Sequence, residues 1–232
     1  MIKLQVNTYK PHIKGTFIKR LNRFVAQVEV DGKIYKAHLH DSGRLGELLI
    51  KSRPIMLIPK RSPKTDFKVI AIYREHYGWI LLNSGLHRSI MEAILKARIV
   101  EEFREIVDFR PEYKIGNHRI DFLLRYPTYN SLMEVKGCTL FKENTCLFPD
   151  APTKRGTEHL KILSSNIPSF ITFLVCHPSI ATVKPNCKED PVFCKTLSMA
   201  ISRGVVPVAL KVGYQEGDIF FHGKADVEIS LF

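Results

Sequence analysis

The chain has 232 residues, 45% of them hydrophobic and 25% charged, with a formal net charge of +12 at pH 7. This is the composition of a soluble globular protein, long enough for one large domain or two small ones. No apolar run approaches the roughly 18 residues of a membrane span, and Met1-Ile2-Lys3-Leu4-Gln5-Val6-Asn7 lacks the apolar core of a signal peptide, so a cytoplasmic protein is expected.

Five cysteines, Cys138, Cys146, Cys176, Cys187 and Cys194, are odd in number and form no C-x-x-C pair, which argues against zinc. Buried free thiols are the expectation; a Cys187–Cys194 bridge is the alternative, unusual in a reducing compartment. The charge is unevenly placed. Residues 1–80 hold 16 Lys and Arg against 6 Asp and Glu, or +10, and residues 81–232 hold 19 against 17, or +2. A concentrated positive field attracts polyanions, of which nucleic acid is the commonest large one.

In chain order, Phe24–Val30 alternates, Asp31-Gly32 supplies a tight turn, and Lys33–Leu39 returns as a hairpin. Residues 43–50 can form one or two helical turns, Ile55–Ile58 is a short apolar strand, and Phe67–Tyr73 with Trp79–Leu82 forms a second hairpin. About five strands with a short helical insertion predict a small barrel of the oligonucleotide-binding (OB) kind over residues 1–82. After Asn83-Ser84-Gly85 the pattern becomes helical. One apolar stripe is Leu86, Ile90, Ala93, Ala97 and Val100, and a second is Met91, Leu95 and Ile99. Strands follow at 112–115, 119–124 and 131–140, the first two joined by Gly116-Asn117. A helix near 153–165, a strand at 170–176, a helix near 192–203 and a strand at 205–212 complete the pattern. Residues 83–232 are therefore expected to form an α/β domain around a mixed sheet.

The chemistry concentrates at Glu134-Val135-Lys136. Alternation puts Glu134 and Lys136 on one face, and an antiparallel hairpin can bring Asp121 beside Glu134. Two carboxylates can hold Mg²⁺ while leaving positions for water and phosphate oxygens. A neighbouring ammonium can orient water and offset charge developing on phosphorus. The bland alternative is an exposed strand with a cross-strand ion pair.

Asp121, Glu134-Val135-Lys136-Gly137-Cys138-Thr139-Leu140 and the block Phe148-Pro149-Asp150-Ala151-Pro152-Thr153-Lys154-Arg155-Gly156-Thr157-Glu158-His159-Leu160 resemble the sugar fermentation stimulation protein A family. The likeness covers nearly the whole chain. It implies an N-terminal OB barrel followed by a domain of the PD-(D/E)XK, restriction-endonuclease-like class. It also implies Asp121 and Glu134 as acids binding Mg²⁺ or Mn²⁺, Lys136 as the motif lysine, and Glu92 as the acid on the first helix. By helical count Glu92 stands at the edge of the second stripe; an ordinary surface carboxylate is the alternative.

Arg155 and His159, four apart on a predicted helix, would face one side and could reach a phosphate; alternatively Arg155 pairs with Glu158 or Asp150. In the barrel, His40-Asp41-Ser42-Gly43-Arg44-Leu45 stands where many relatives have an Asn-Thr-Gly loop, and Asp41-Ser42 departs from it. Arg44, Lys14, Lys19, Arg20 and Arg23 are candidate phosphate contacts, each alternatively a solvated surface charge.

The expected function is therefore a Mg²⁺-dependent nuclease acting on DNA, and on RNA as a second substrate, with self-association left open. The alternative is a non-enzymatic DNA-binding regulator linked to sugar metabolism that keeps a nuclease fold. A small-phosphate hydrolase fits the acids but leaves the basic barrel unexplained.

Overall fold

The computed structural model describes residues 1–6, 12–41, 43–60 and 62–229. Its first strand, β1 (Ile2–Leu4), lies antiparallel on the last, so the extreme N-terminus joins the large sheet and not the barrel that follows it. Next come β2 (Ile13–Asn22), β3 (Val25–Val30), β4 (Lys33–His38), β5 (Pro54–Pro59), β6 (Phe67–Arg74) and β7 (Gly78–Leu81). Pairings β2–β3, β3–β4, β2–β5 and β5–β6 are antiparallel, and a short parallel ladder, Ala37 to Phe67 and His38 to Lys68, closes the five-stranded barrel. Alternation drives it: Ala26, Val28 and Val30 point inward while Gln27 and Glu29 point out.

The β3–β4 turn is the expected one, with Asp31 and Gly32 both at positive φ (50° and 72°). Two barrel features differ from expectation. β2 is an additional strand that the sequence pattern does not reveal, because irregularities between Phe17 and Lys19 and between Arg20 and Asn22 break its alternation. Residues 43–50 form turns and no helix, with Leu45 at φ 52°.

The second part begins with Asn83, whose Oδ1 accepts from the Gly85 amide, and α1 (His87–Ala97) follows. Its buried stripe is Ile90, Met91, Ile94 and Leu95, drawn from both predicted stripes plus Ile94, and Ala97 is exposed. Then come β8 (Asp108–Ile115), β9 (His118–Arg125), β10 (Asn130–Cys138), β11 (Leu140–Lys142) and β12 (Thr145–Phe148). The chain continues through α2 (Lys154–Ser164), β13 (Ser169–Val175), β14 (Thr182–Pro185), α3 (Pro191–Ser202), β15 (Val205–Gln215) and β16 (Asp218–Val227). The predicted strand 131–140 is thus two: β10 ends at Cys138 and β11 pairs elsewhere.

The sheet runs β11-β12-β14-β16-β15-β13-β10-β9-β8, mixed in direction. At its centre β13 is parallel to both β10 and β15 and buried along its whole length, as a parallel strand covered on both faces should be. Barrel and sheet share one continuous apolar core. They are pinned by hydrogen bonds from Arg74 Nη1 to the Phe141 carbonyl (3.1 Å) and from the Tyr77 hydroxyl to the Glu143 carbonyl (2.6 Å).

Cys187 and Cys194 form a disulfide, against the free-thiol expectation, tying the loop after β14 to α3; Cys138, Cys146 and Cys176 are free and buried. Among the described residues no helix is long and apolar enough to cross a membrane.

Candidate active site

The β9–β10 ladder pairs Leu132 with Leu123 and Met133 with Phe122, so the next rung sets Glu134 across from Asp121. There the backbone ladder gives way to side chains. Asp121 Oδ2 accepts from the Val135 amide (2.7 Å), and Glu134 Oε2 accepts from the Asp121 amide (3.3 Å). Each carboxylate is held by the other's strand, which fixes both without a flexible tether.

Glu134 is 3% exposed. Its Oε1 receives Lys136 Nζ at 2.7 Å and His159 Nδ1 at 2.5 Å. His159 reaches it from α2, whose first turn is capped by the Thr153 hydroxyl and anchored by Asp190 on the Thr153 amide (2.8 Å). The other His159 nitrogen, Nε2, accepts from Arg155 Nε at 3.3 Å. A carboxylate can only accept and a guanidinium can only donate, so Nδ1 carries the proton toward Glu134. Burial pushes the Glu134 carboxyl up, but hydrogen bonding from His159 and the Lys136 charge together hold it below its ordinary value. Asp121 goes the other way: burial first, then the Glu134 charge, push it up to about 6.

Asp121, Glu134, Lys136 and Arg155 form part of the wall of a cleft of about 720 Å³ between barrel and sheet. Arg23, His40, Asp41 and Gly43 come from the barrel side. A Cβ on Gly43 would stand 2.3 Å from Asp150 Oδ2, so the bare glycine lets that carboxylate seat against the loop, where it also accepts from the Leu45 amide at 3.4 Å. Gly137, beside Lys136, makes room in the same way for His87: an added Cβ would lie 2.2 Å from its Cε1. Burial and neighbouring His40 lower His87 to about 4, so it is a neutral imidazole at the cleft wall.

Two family models match the chain: the SfsA N-terminal OB domain over residues 18–82 and the Sugar fermentation stimulation protein RE domain over residues 85–218. The chain belongs to the sugar fermentation stimulation protein family. Its homologue from Methanothermobacter thermautotrophicus is 42% identical over 88% of each chain. That from Methanococcoides burtonii is 36% identical over 91% of this chain and 90% of its own. Among solved structures, Pyrococcus furiosus SfsA in complex with Ca²⁺ superposes with a TM-score of 0.90 at 27% identity, covering 99% of this chain and all of that one.

In this family member the sequence-predicted residues divide. Asp121, Glu134, Lys136, Arg155 and His159 converge; all but buried His159 line the cleft, as does Arg23. Glu92 does not. It receives Arg88 Nε at 2.7 Å one helical turn back, and Arg88, not Glu92, lines the cleft. Arg44 also has another use, since its Nη1 pairs with Glu189 at 2.8 Å, a link between barrel and the loop before α3. Arg20 is likewise engaged within the protein. Its Nε and both Nη groups donate to the carbonyls of Asn22, Gly43, Arg44, Arg23 and Asp41, which engages all five N–H groups. Lys14 and Lys19 are exposed on β2 outside the cleft. Ser42 lies outside the described residues.

Sequence reading missed Glu112. The β8–β9 ladder pairs Pro111 with Phe122 and Tyr113 with Ile120, which sets Glu112 across from Asp121. Glu112, Asp121 and Glu134 thus form one row over three strands, and Glu112 is bound by Arg119 at 3.0 Å. The alternation of β8 was the available signal.

Proposed function

We propose that the chain is a metal-dependent nuclease of the PD-(D/E)XK class that hydrolyses phosphodiester bonds of DNA, and of RNA as a second substrate. The observation that carries this reading is the fixed pairing of Asp121 with Glu134, with Lys136 on the Glu134 carboxylate, in a cleft bordered by a basic barrel. A protein that only binds DNA has no need of that convergence.

The acids suit a hard divalent cation such as Mg²⁺ or Mn²⁺. Burial first, and the Glu134 charge second, push Asp121 up, and a cation beside the two carboxylates would favour its ionised form. Among the described residues no three His, Cys, Asp or Glu side chains close on one point. A hard cation can be held by one or two carboxylates, with the rest of its shell left to water and phosphate. The Pyrococcus furiosus relative is in complex with Ca²⁺, another oxygen-seeking cation.

Asp121 and Glu134 would hold the ion, which would supply Lewis acidity toward the phosphoryl oxygen and the attacking water. Lys136, only 14% exposed at its side chain, would offset negative charge growing on phosphorus. His159 holds Glu134 in orientation from behind, as outer partners of ligating carboxylates do. Arg155 keeps its terminal nitrogens for a phosphate oxygen, since its Nε is the atom bound to His159. Residues 1–80, most of them in the barrel, carry +10 of the +12 and would supply most of the affinity. Such an enzyme would work in the cytoplasm.

Incubating the purified protein with labelled single- and double-stranded DNA and RNA in Mg²⁺, Mn²⁺ or chelator tests the proposal. Cleavage that requires the cation is expected. Nucleic acid bound but uncut under every metal condition would leave a DNA-binding regulator.

A further inference from the structure

The tip of the β2–β3 hairpin is built unlike an ordinary turn. Arg23 and Phe24 occupy its two turn positions, where a tight hairpin favours Asn-Gly or Asp-Gly, and neither takes a positive φ. The turn is instead held from outside itself. Arg20 donates to the carbonyls of Asn22 and Arg23 on the hairpin and, with the same guanidinium, to those of Asp41, Gly43 and Arg44 on the neighbouring loop. Asn22 Oδ1 accepts from the Phe24 amide at 2.9 Å, and the Phe24 carbonyl accepts from the Leu39 amide at 2.8 Å. The irregularity between Arg20 and Asn22 re-aims the strand just before the tip.

So much fixing serves to present an apolar surface to water. Phe24 is 49% exposed and Leu21 beside it 42%. The Arg23 guanidinium lies 5.6 Å from the Phe24 ring centroid, and Arg23 lines the cleft that holds Asp121, Glu134 and Lys136. A rigid aromatic face with a cation over it, in the basic third of the chain and next in sequence to a residue of the cleft wall, has the chemistry of a nucleobase platform. The cation meets the phosphate, the ring meets the base, and neither requires a particular sequence. Intact duplex cannot use the ring, because paired bases are already stacked on both faces.

We propose that Phe24 stacks an unpaired nucleobase of the strand entering the cleft, so that the substrate is single-stranded, or locally opened, at the hairpin tip. This rests on the nucleic-acid reading above and adds to it a strand preference and the residue that sets it. DNA and RNA strands share the chemistry.

Binding of the full-length protein is measured in chelator, so that no strand is cut. The ligands are a labelled single-stranded DNA of about 12 nucleotides, the same strand in duplex, and its RNA counterpart. Phe24→Ala should weaken single-strand binding on the order of 5- to 150-fold and duplex binding by less than about twofold, with an unchanged salt slope. Phe24→Trp should retain binding, while Phe24→Leu, which keeps apolar area without a π-face, should behave like alanine. In wild type, one abasic position should reproduce the loss, and in Phe24→Ala that same position should cost nothing further. Equal losses on single strand and duplex, or an abasic series with no sensitive position, would overturn the platform and leave the nuclease reading standing. A wild-type protein that binds none of the three would sink both. Circular dichroism of each variant separates these outcomes from misfolding.

Discussion

The barrel and the α/β unit treat polar groups in opposite ways. Among the described residues the barrel buries one polar side chain, Thr65, and keeps Lys14, Lys19 and Arg23 at the surface. The α/β unit buries Glu134, His159, Asp190 and several hydroxyls. Surface charges act through a screened field, and each contributes little. Desolvated ones act at close range, and removal of one leaves a partner unpaired. On the proposed function, charge-driven binding would be distributed over many replaceable residues, and chemistry would be concentrated in a few that are not. Arg20 and Arg74 depart from that pattern in the barrel, as charges used as structural clamps.

The largest effect should come from the sheet. Lys136→Ala should lower single-turnover cleavage by about 10²-fold or more, while DNA affinity changes little because one contact among many is lost. If Lys136 is only an ion-pair partner, the cost is ~1 kcal/mol of stability or less and the rate survives.

Next stands His159→Gln, which removes the imidazole behind Glu134. Calorimetric titration should show Mn²⁺ affinity reduced by about 10- to 100-fold. Unchanged affinity would mean that Lys136 and the Asp121 amide suffice to orient the carboxylate.

In the barrel the comparison sharpens at two residues of like charge. Lys19→Ala should reduce the salt slope of duplex binding by about 0.9 if it neutralises one phosphate, leaving thermal stability alone. Arg20→Ala should do the reverse, lowering stability by ~1–3 kcal/mol as part-buried carbonyls lose their donors, with no change in slope. A slope change in Arg20→Ala would restore it to the binding set.

Local chemistry was legible in the sequence, and long-range partnership was not. Asp31-Gly32 announced its hairpin because the turn's backbone demands those residues. Asp121 and Glu134 could be placed side by side because alternation and one hairpin suffice. Arg155 and His159 could be set on one helix face by spacing alone. Arg20 could not be assigned, because its acceptors lie on a loop about twenty residues away whose path depends on the barrel closing. Arg44 likewise looked free until the fold brought Glu189 to it. Glu92 carried the expected residue type at the expected place, yet its neighbour one turn back took it. The Cys187–Cys194 spacing was visible, but the pairing depends on where α3 begins.

One titration separates the metal ligands from the catalytic lysine. Mn²⁺ is titrated calorimetrically into folded wild type, Asp121→Asn and Lys136→Ala, and single-turnover cleavage is followed on the same preparations. Asp121→Asn should lose both metal binding and cleavage, since it removes a ligand charge and keeps the shape. Lys136→Ala should keep the metal and lose the rate. Undiminished Mn²⁺ affinity in Asp121→Asn, or full cleavage by either variant, would contradict it.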